Sequence, residues 1–281
     1  DWLAELKANG EIDFDGPPQN PDQFRSASCA GVARPFSSSL TETSVGYHIN
    51  IDASSFASWV FAHGGDVFDY GANRYSYNNE GAVAAMTFLQ ELSNEGCARV
   101  VVERYGDQAN FGQGATLFTV GSSSGLPYYQ SAVDEGAQFK WSVAPIPYTT
   151  EEPMMNIYGT SVSMPLTSPE AELAAWLFLK FYTSPEVQAT WVQASNYFPV
   201  RASAADGLTE AGYFETNPVY ETAFGMLQYG HAEPPVPGYD FVRDMVEEAM
   251  AAIIFEQADV QSTLDQLTED ANISLTEQLE Q

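Results

Sequence analysis

Three consecutive serines between two glycines form the stretch of this sequence best suited to chemistry. Ser122, Ser123 and Ser124 follow an apolar run that ends at Gly121, and a second apolar stretch begins just after Gly125. This pattern predicts a strand, a tight turn and the start of a helix. Such a turn presents serine hydroxyls and backbone N–H groups to whatever lies outside the sheet.

Two functions fit this turn. Residues 121–125 match the Gly-x-Ser-x-Gly elbow of serine hydrolases, in which Ser123 would be the nucleophile. His231 would then be the base, since it is the one histidine downstream, and Asp134 or Glu151 would be the acid. Alternatively, the turn is the polar rim of a small-molecule cleft, where it hydrogen-bonds an uncharged ligand. A third interpretation is that the serines only cap the following helix.

Metal and cofactor chemistry find little support in the sequence. The histidines His48, His63 and His231 are scattered without the spacing of paired metal ligands, and Cys29 and Cys97 form no zinc motif. A phosphate-binding Gly-Lys-Ser/Thr loop is also missing, so we predict no metal and no cofactor. The two cysteines are predicted to form a disulfide in an exported protein or to remain as buried thiols, and both states stay open.

The charge of the chain restricts its partners. Thirty-eight acidic residues against ten basic ones give an acidic protein with a formal charge of −28. Such a surface repels phosphate backbones and anionic lipids, so we expect no nucleic-acid partner. It also disfavours a phosphorylated ligand unless a local cluster of arginines binds the phosphate.

The elements that position these residues follow from apolar periodicity and from turn residues. The sequence predicts helices over residues 1–9, 21–33, 53–62, 80–95, 217–228, 239–256 and 259–279, and two more that begin at Ser168 and Ser184. It predicts a half-buried strand over residues 45–51, a strand that ends in the serine turn, and further strands over residues 141–146 and 155–164. No apolar run is long enough to span a bilayer.

Several segments, in one order along the chain, carry a resemblance to a known family. They are residues 56–59 with Gly64-Gly65, 84–96, 111–115 running into the serine turn, 141–147, 158–161, 168–186, 196–200 and 239–243. Together they resemble the extracellular solute-binding proteins of family 1. These are the receptors of ABC importers, and they include the maltose- and glycerol-3-phosphate-binding proteins.

The resemblance implies an α/β fold of the type II periplasmic-binding-protein class, with two lobes that trap ligand in the cleft between them. In this family, the Asp-Trp-Leu that begins the chain lies just after the first crossing into the second lobe, so the first lobe is expected to be incomplete here. Residues 1–155 would form the first part of the second lobe, 156–209 would return to the first lobe, and 210–281 would supply the last helices of the second. The apolar face of Leu173, Trp176 and Phe181 would then be uncovered.

The resemblance also implies which side chains meet the ligand. Ser122, Ser123 and Ser124 would hydrogen-bond its hydroxyls, while the ring of Tyr239 would stack on a sugar and Arg243, one helical turn later, would donate to ligand oxygens. Arg243 has a second interpretation, in which it only pairs with Asp240 or Asp244.

Five further positions are candidates with a structural alternative. Trp59 is a second aromatic residue that could contact the ligand. Alternatively, it belongs to the core, as large apolar residues on helices usually do. Asp52 and Ser54 face ligand in the family, but their spacing also suits a helix cap. Tyr158 and Gly159 lie where the chain crosses between lobes, so a hinge role and a ligand role are both open.

One departure from the family concerns the ligand. The glycerol-phosphate branch resembles this chain around Tyr239 but has a basic residue just before that segment, where residues 233–238 here read Glu-Pro-Pro-Val-Pro-Gly. The sequence therefore favours a neutral carbohydrate.

The function expected from the resemblance is that of a receptor, not an enzyme; the alternative is the serine hydrolase. The receptor would act as a monomer, bind a sugar or oligosaccharide, and deliver it to ABC permease subunits in the membrane. Its expected location is periplasmic or extracellular, with anchoring through a lipoprotein signal upstream of Asp1.

Overall fold

The computed structural model of the protein describes residues 1–103 and 105–280. The helices are α1 Trp2–Ala8, α2 Pro21–Ala33, α3 Ala53–Ala62, α4 Glu80–Asn94, α5 Gly106–Gly112, α6 Leu126–Glu135, α7 Pro169–Tyr182, α8 Pro185–Ser195, α9 Ala204–Glu210, α10 Tyr213–Thr216, α11 Pro218–Gly225, α12 Tyr239–Phe255 and α13 Val260–Leu279. The strands are β1 Val45–Ile49, β2 Phe68–Asp69, β3 Arg74–Tyr75, β4 Ala98–Val100, β5 Thr116–Thr119, β6 Met155–Ile157 and β7 Gly230–Ala232.

Three parallel strands form one sheet in the order β4-β1-β5. The serine turn follows β5 in the sequence. Tyr47 of β1 pairs with Ala98 of β4 and with Phe118 of β5. Every residue of β1 is buried. The prediction of a half-buried strand is therefore wrong, because β1 is the central strand and both of its faces are covered, as is usual in parallel sheets.

Side-chain caps explain where several helices begin. The carbonyl or carboxylate oxygens of Asn20, Asn79 and Asp259 accept hydrogen bonds from backbone N–H groups three residues later, at the starts of α2, α4 and α13. Each cap satisfies a donor that the first helical turn leaves without a partner. These helices match the predicted ranges closely because the capping residues are readable in the sequence.

Two predicted strands differ from the structure. Residues 141–146, all of which are described, form no strand. Pro145 and Pro147 flank the end of this segment, and proline has no N–H to donate to a sheet ladder. The strand predicted over residues 155–164 is reduced to β6, which pairs in parallel with β7 so that Asn156 lies opposite His231.

The chain divides into two compact units. Unit 1 consists of residues Asp1–Gly121, Tyr129–Tyr158 and Met226–Gln281, and unit 2 consists of Ser122–Tyr128 and Gly159–Gly225. The chain passes between the units four times, on either side of the short segment Ser122–Tyr128 and again at Tyr158-Gly159 and Gly225-Met226. The boundaries predicted from the sequence are 155/156 and 209/210. The assignment of these segments to a first and a second lobe remains a prediction.

The core of unit 1 forms around α3, of which every residue is buried. Helix α12 packs on α3 and α4, and α13 packs on α4 and α12. Phe24, Tyr47, Trp59 and Phe88 form an aromatic cluster in which Trp59 lies 5.6 Å from the ring of Phe24 and 5.7 Å from that of Phe88. Helices far apart in sequence therefore share one hydrophobic core.

A disulfide joins Cys29 of α2 to Cys97, which lies just before β4. The two Cα atoms are 4.6 Å apart, and the bond closes a sequence separation of 68 residues. Of the two states that the sequence left open for these cysteines, the structure has the disulfide. It fixes the packing of α2 beside the central sheet.

Unit 2 leaves one face of α7 uncovered. Leu173, Trp176 and Phe181 are 57%, 53% and 63% exposed, as predicted for this face, and no residue of α7 is buried. The small core of this unit lies elsewhere and includes Val192 of α8 and Leu208 of α9. The amide of Gln188, which is 1% exposed, donates to the carbonyl of Tyr182 and accepts from the N–H of Val200.

The described helices include none that combines the length and the apolar character needed to cross a membrane.

Candidate ligand-binding site

The start of α3 brings two of the predicted site residues into unit 1. The Asp52 carboxylate caps the helix by accepting the backbone N–H of Ser55 at 2.8 Å. Burial raises the pKa of this carboxyl, although its hydrogen bonds to backbone N–H groups and the charge of Arg243 oppose the rise. Ser54 is 3% exposed, and its hydroxyl accepts from Nη2 of Arg243 at 3.0 Å. Asp52 therefore has the capping role that its spacing suggested.

Helix α12 places Tyr239 and Arg243 on the same face, one turn apart. The guanidinium carbon of Arg243 lies 5.8 Å from the centre of the Tyr239 ring. Among the described residues, the ion pair of Arg243 is with Glu233, at 2.5 Å between Nη1 and Oε2. The suggested pairing with Asp240 or Asp244 is therefore wrong, because the guanidinium turns toward the buried carboxylate.

Glu233 is at the centre of the polar network, although the sequence did not identify it as a site residue. Its side chain is 7% exposed, and it accepts hydrogen bonds from the hydroxyl of Tyr239 and from Nδ2 of Asn156, the latter at 2.7 Å. Burial alone would raise the pKa of this carboxyl. The hydrogen bonds and the positive charge of Arg243 outweigh burial, so the pKa is lowered.

Three tyrosines stack beside this network. The ring of Tyr75 lies 5.5 Å from that of Tyr77 and 6.2 Å from that of Tyr239, with interplanar angles of 13° and 20°. Tyr75 and Tyr77 are each 1% exposed, and within residues 1–103 and 105–280 their hydroxyls have no hydrogen-bond partner. Burial raises the pKa of both hydroxyls, so they stay neutral at physiological pH. The stack holds the half-buried ring of Tyr239 in place.

The structure corrects the prediction for Trp59. This residue has 0% exposure, and its indole N–H donates to the hydroxyl of Tyr47 at 3.1 Å within the core. No part of the ring is available to a ligand. Its ring is buried among Phe24 of α2, Tyr47 of β1 and Phe88 of α4. Trp59 therefore belongs to the core, which was the structural alternative.

The serine turn has the predicted form. Strand β5 leads to Gly121, residues 123–125 form one 3-10 turn, and α6 follows. Within this turn, the Ser122 hydroxyl accepts the backbone N–H of Ser124 at 3.3 Å and lies 3.0 Å from the Ser124 hydroxyl. Ser122 thus acts as a cap, while a ligand role for the three serines stays a prediction.

Tyr158 and Gly159 are the residues at which the chain leaves unit 1 and enters unit 2. Tyr158 is 53% exposed, and a side chain at Gly159 would meet no atom within 4 Å. The chain thus crosses between the two units at these residues, while the crossing between lobes stays a prediction. A hinge role and a ligand role both stay predictions for these two residues.

His231, the base required by a hydrolase, is engaged within unit 1. Its Nε2 lies 2.9 Å from Oδ2 of Asp66, and its ring stands edge-on to Phe61 at 4.5 Å. The partner of His231 is thus Asp66, whereas the hydrolase hypothesis required Asp134 or Glu151. The Asp134 carboxylate instead accepts from the amide of Gln130 at 2.8 Å.

The described residues contain one group of potential metal ligands, Cys29, Glu95 and Cys97, whose ligand atoms lie within 4.8 Å of one another. Both sulfurs belong to the disulfide, so neither is a thiolate that could bind a metal ion. Arg25 also pairs with the Glu95 carboxylate.

The sequence matches a family model over residues 7–222, and the model describes bacterial extracellular solute-binding proteins. The sn-glycerol-3-phosphate-binding periplasmic protein UgpB of Shigella dysenteriae is 25% identical over an alignment of 243 residues, which covers 81% of this chain and 54% of that protein. UgpB of Escherichia coli K12 is 25% identical over an alignment of 238 residues, which covers 79% of this chain and 53% of that protein. The chain thus spans about half the length of these relatives.

Solved structures show a similar fold. The sugar-binding protein MalE from Xanthomonas citri superposes with a TM-score of 0.80 at 12% identity, covering 98% of this chain and 68% of that one. UgpB from Mycobacterium tuberculosis, in complex with glycerophosphocholine, superposes with a TM-score of 0.75 at 20% identity. The superposition covers 99% of this chain and 68% of that one. At such identities the similarity is evidence for the fold alone.

Proposed function

Because this chain belongs to the bacterial extracellular solute-binding protein family, we propose that it is the substrate receptor of an ABC importer. It binds a neutral sugar or oligosaccharide and delivers it to a membrane permease. Ligand contacts that exist only in a closed form would shift the open-closed equilibrium toward that form. The receptor acts as a monomer, is anchored as a lipoprotein, and has no nucleic-acid partner.

Family membership confirms several predictions. The fold is the α/β fold of type II periplasmic binding proteins, as its solved neighbours show. The family consists of binding proteins and not enzymes, so the serine hydrolase is no longer a candidate. The family is extracellular and its UgpB relatives are periplasmic, which agrees with the predicted location outside the cytoplasm.

The observation that carries the proposal is the network of Ser54, Asn156, Glu233 and Arg243 beside the ring of Tyr239. Sugars offer hydroxyls, which both donate and accept hydrogen bonds, and a face of C–H groups that packs on an aromatic ring. A half-buried ring beside fixed donors and acceptors suits both features.

The names of related proteins point to two kinds of ligand. The curated relatives bind glycerol 3-phosphate, whereas solved neighbours include a protein bound to tagatose and one bound to maltose. The charge of −28 and the carboxylate of Glu233 beside Arg243 support the neutral class for this chain.

A thermal-shift scan with isothermal titration calorimetry tests the proposal on the whole chain. We expect one of a panel of mono- and oligosaccharides, including glucose, maltose and tagatose, to raise the melting temperature saturably and without turnover. A simple ester should be neither bound nor cleaved. Stabilisation by none of the sugars across the panel would count against a neutral carbohydrate as the ligand.

Removing the Tyr239 ring should weaken sugar binding. We expect Tyr239→Ala to lower affinity by at least about fivefold, because an aromatic contact contributes about 1 kcal/mol beyond its buried area. Tyr239→Phe is the matched control, since it keeps the ring and removes only the hydroxyl that donates to Glu233. Titration of both variants with the same sugar measures the effect. Equal affinity of Tyr239→Ala and the wild type would show that the ring makes no ligand contact.

A further inference from the structure

We propose that Glu233 is a specificity-determining residue that neutralises Arg243 and thereby makes the site select uncharged polyols over phosphorylated ones. This inference rests on the function proposed above, since it concerns the same site. A neutralised guanidinium would explain a preference for uncharged ligands in this chain, in contrast to relatives named as binding glycerol 3-phosphate.

The relative exposure of the two side chains supports this role. The Arg243 side chain is 31% exposed and that of Glu233 is 7% exposed, so a ligand would reach the guanidinium before the carboxylate. Nη1 of Arg243 is held by Glu233 at 2.5 Å and Nη2 by the Ser54 hydroxyl at 3.0 Å. Both terminal nitrogens of the guanidinium, which would otherwise donate to a phosphate, thus already have hydrogen-bond acceptors.

The local charge balance is also unfavourable for an anion. Asp52 lies within electrostatic reach of both Arg243 and Glu233, and the charge of each acts on its carboxyl. Two carboxylates and one guanidinium leave this cluster with a net negative charge. An incoming phosphate would therefore meet repulsion that an uncharged polyol does not.

The network around Glu233 shows that the carboxylate is fixed in place. The Tyr239 hydroxyl and the Asn156 amide donate to it from two different elements, α12 and β6. Asn156 is itself positioned by the Ser54 carbonyl, to which its amide also donates at 3.2 Å. Glu233 cannot swing away from Arg243 without losing these hydrogen bonds, so the pair stays neutral when ligand arrives.

The test compares glycerol with sn-glycerol 3-phosphate, which differ only in the phosphate. By calorimetry we expect the wild type to bind glycerol 3-phosphate no more tightly than glycerol. Glu233→Gln keeps the shape and the acceptor oxygen but removes the charge, and it should bind glycerol 3-phosphate at least about tenfold more tightly than the wild type does. The double variant Glu233→Gln/Arg243→Gln should lose that gain, because the guanidinium is its source.

Folding of each variant is checked by its melting transition. Glu233→Ala gives the same test by opening space for water around Arg243, should the glutamine variant fail to fold. The wild type alone also decides the matter, since a clear preference for glycerol 3-phosphate over glycerol would overturn the proposal. So would a folded Glu233 variant without any gain in affinity for the phosphate.

These outcomes are distinct from failure of the proposed function. Absence of sugar binding by the wild type would remove the carbohydrate receptor. A gain of phosphate affinity in Glu233→Gln would still establish the role of the carboxylate.

Discussion

Replacing Trp59 with alanine is expected to lower the free energy of unfolding of unit 1 by about 3–5 kcal/mol, the usual cost of removing a large buried aromatic side chain. Trp59 is wholly buried, contacts Phe24, Tyr47 and Phe88, and donates its indole N–H to the Tyr47 hydroxyl. The substitution leaves a cavity and a buried hydroxyl without its donor.

Urea denaturation followed by circular dichroism measures this loss, with Trp59→Phe as the matched control. Phenylalanine keeps an aromatic ring in the cluster and removes the indole N–H, so it should cost less than alanine. A ligand-binding tryptophan would behave differently, because its loss would reduce affinity and leave the unfolding midpoint nearly unchanged. That second result would contradict the placement of Trp59 in the core.

Reducing the Cys29–Cys97 bond is expected to lower the free energy of unfolding by about 2–4 kcal/mol. The bond closes 68 residues of sequence, including β1, α3 and α4, and so restricts the unfolded chain. Cys97 is only 6% exposed, and the Cα atoms of the two cysteines lie 4.6 Å apart in the fold.

Comparison of oxidised and reduced wild-type protein in urea measures the effect without changing any side chain. The variant Cys29→Ala/Cys97→Ala serves as a control, since added reductant should leave its unfolding midpoint unchanged. Alkylation and mass spectrometry of the unreduced protein should find no free thiol. Two modified cysteines, or identical midpoints with and without reductant, would contradict the disulfide.

Much of the fold could be predicted from local signals. Capping residues and apolar periodicity located α2, α3, α4 and α12 to within a few residues, because a helix is determined mainly by its own sequence. The burial of β1 was not predicted, since it depends on strands that pair with it from residues 98–100 and 116–119. Alternating residues look half-buried until the neighbours on both sides are known.

The candidate site was only partly predictable, and for a related reason. Ser54, Tyr239 and Arg243 could be placed by resemblance, and the structure brings these three together with Asp52 in unit 1. Glu233 precedes Arg243 by ten residues within a proline-rich stretch, so no helical spacing connects them. Asn156 reaches Glu233 across a sequence separation of 77 residues. Contacts of this kind exist only after β6 and β7 have paired.

The division of unit 1 into three stretches of sequence bears on the order of events during biosynthesis. Val246 and Ile253 of α12 and Leu275 of α13 are buried in the same core as α3 and α4. This core therefore cannot be complete while the ribosome is still making the last helices. Until then, the apolar surfaces of α3 and α4 that α12 and α13 cover have no partner in the nascent chain.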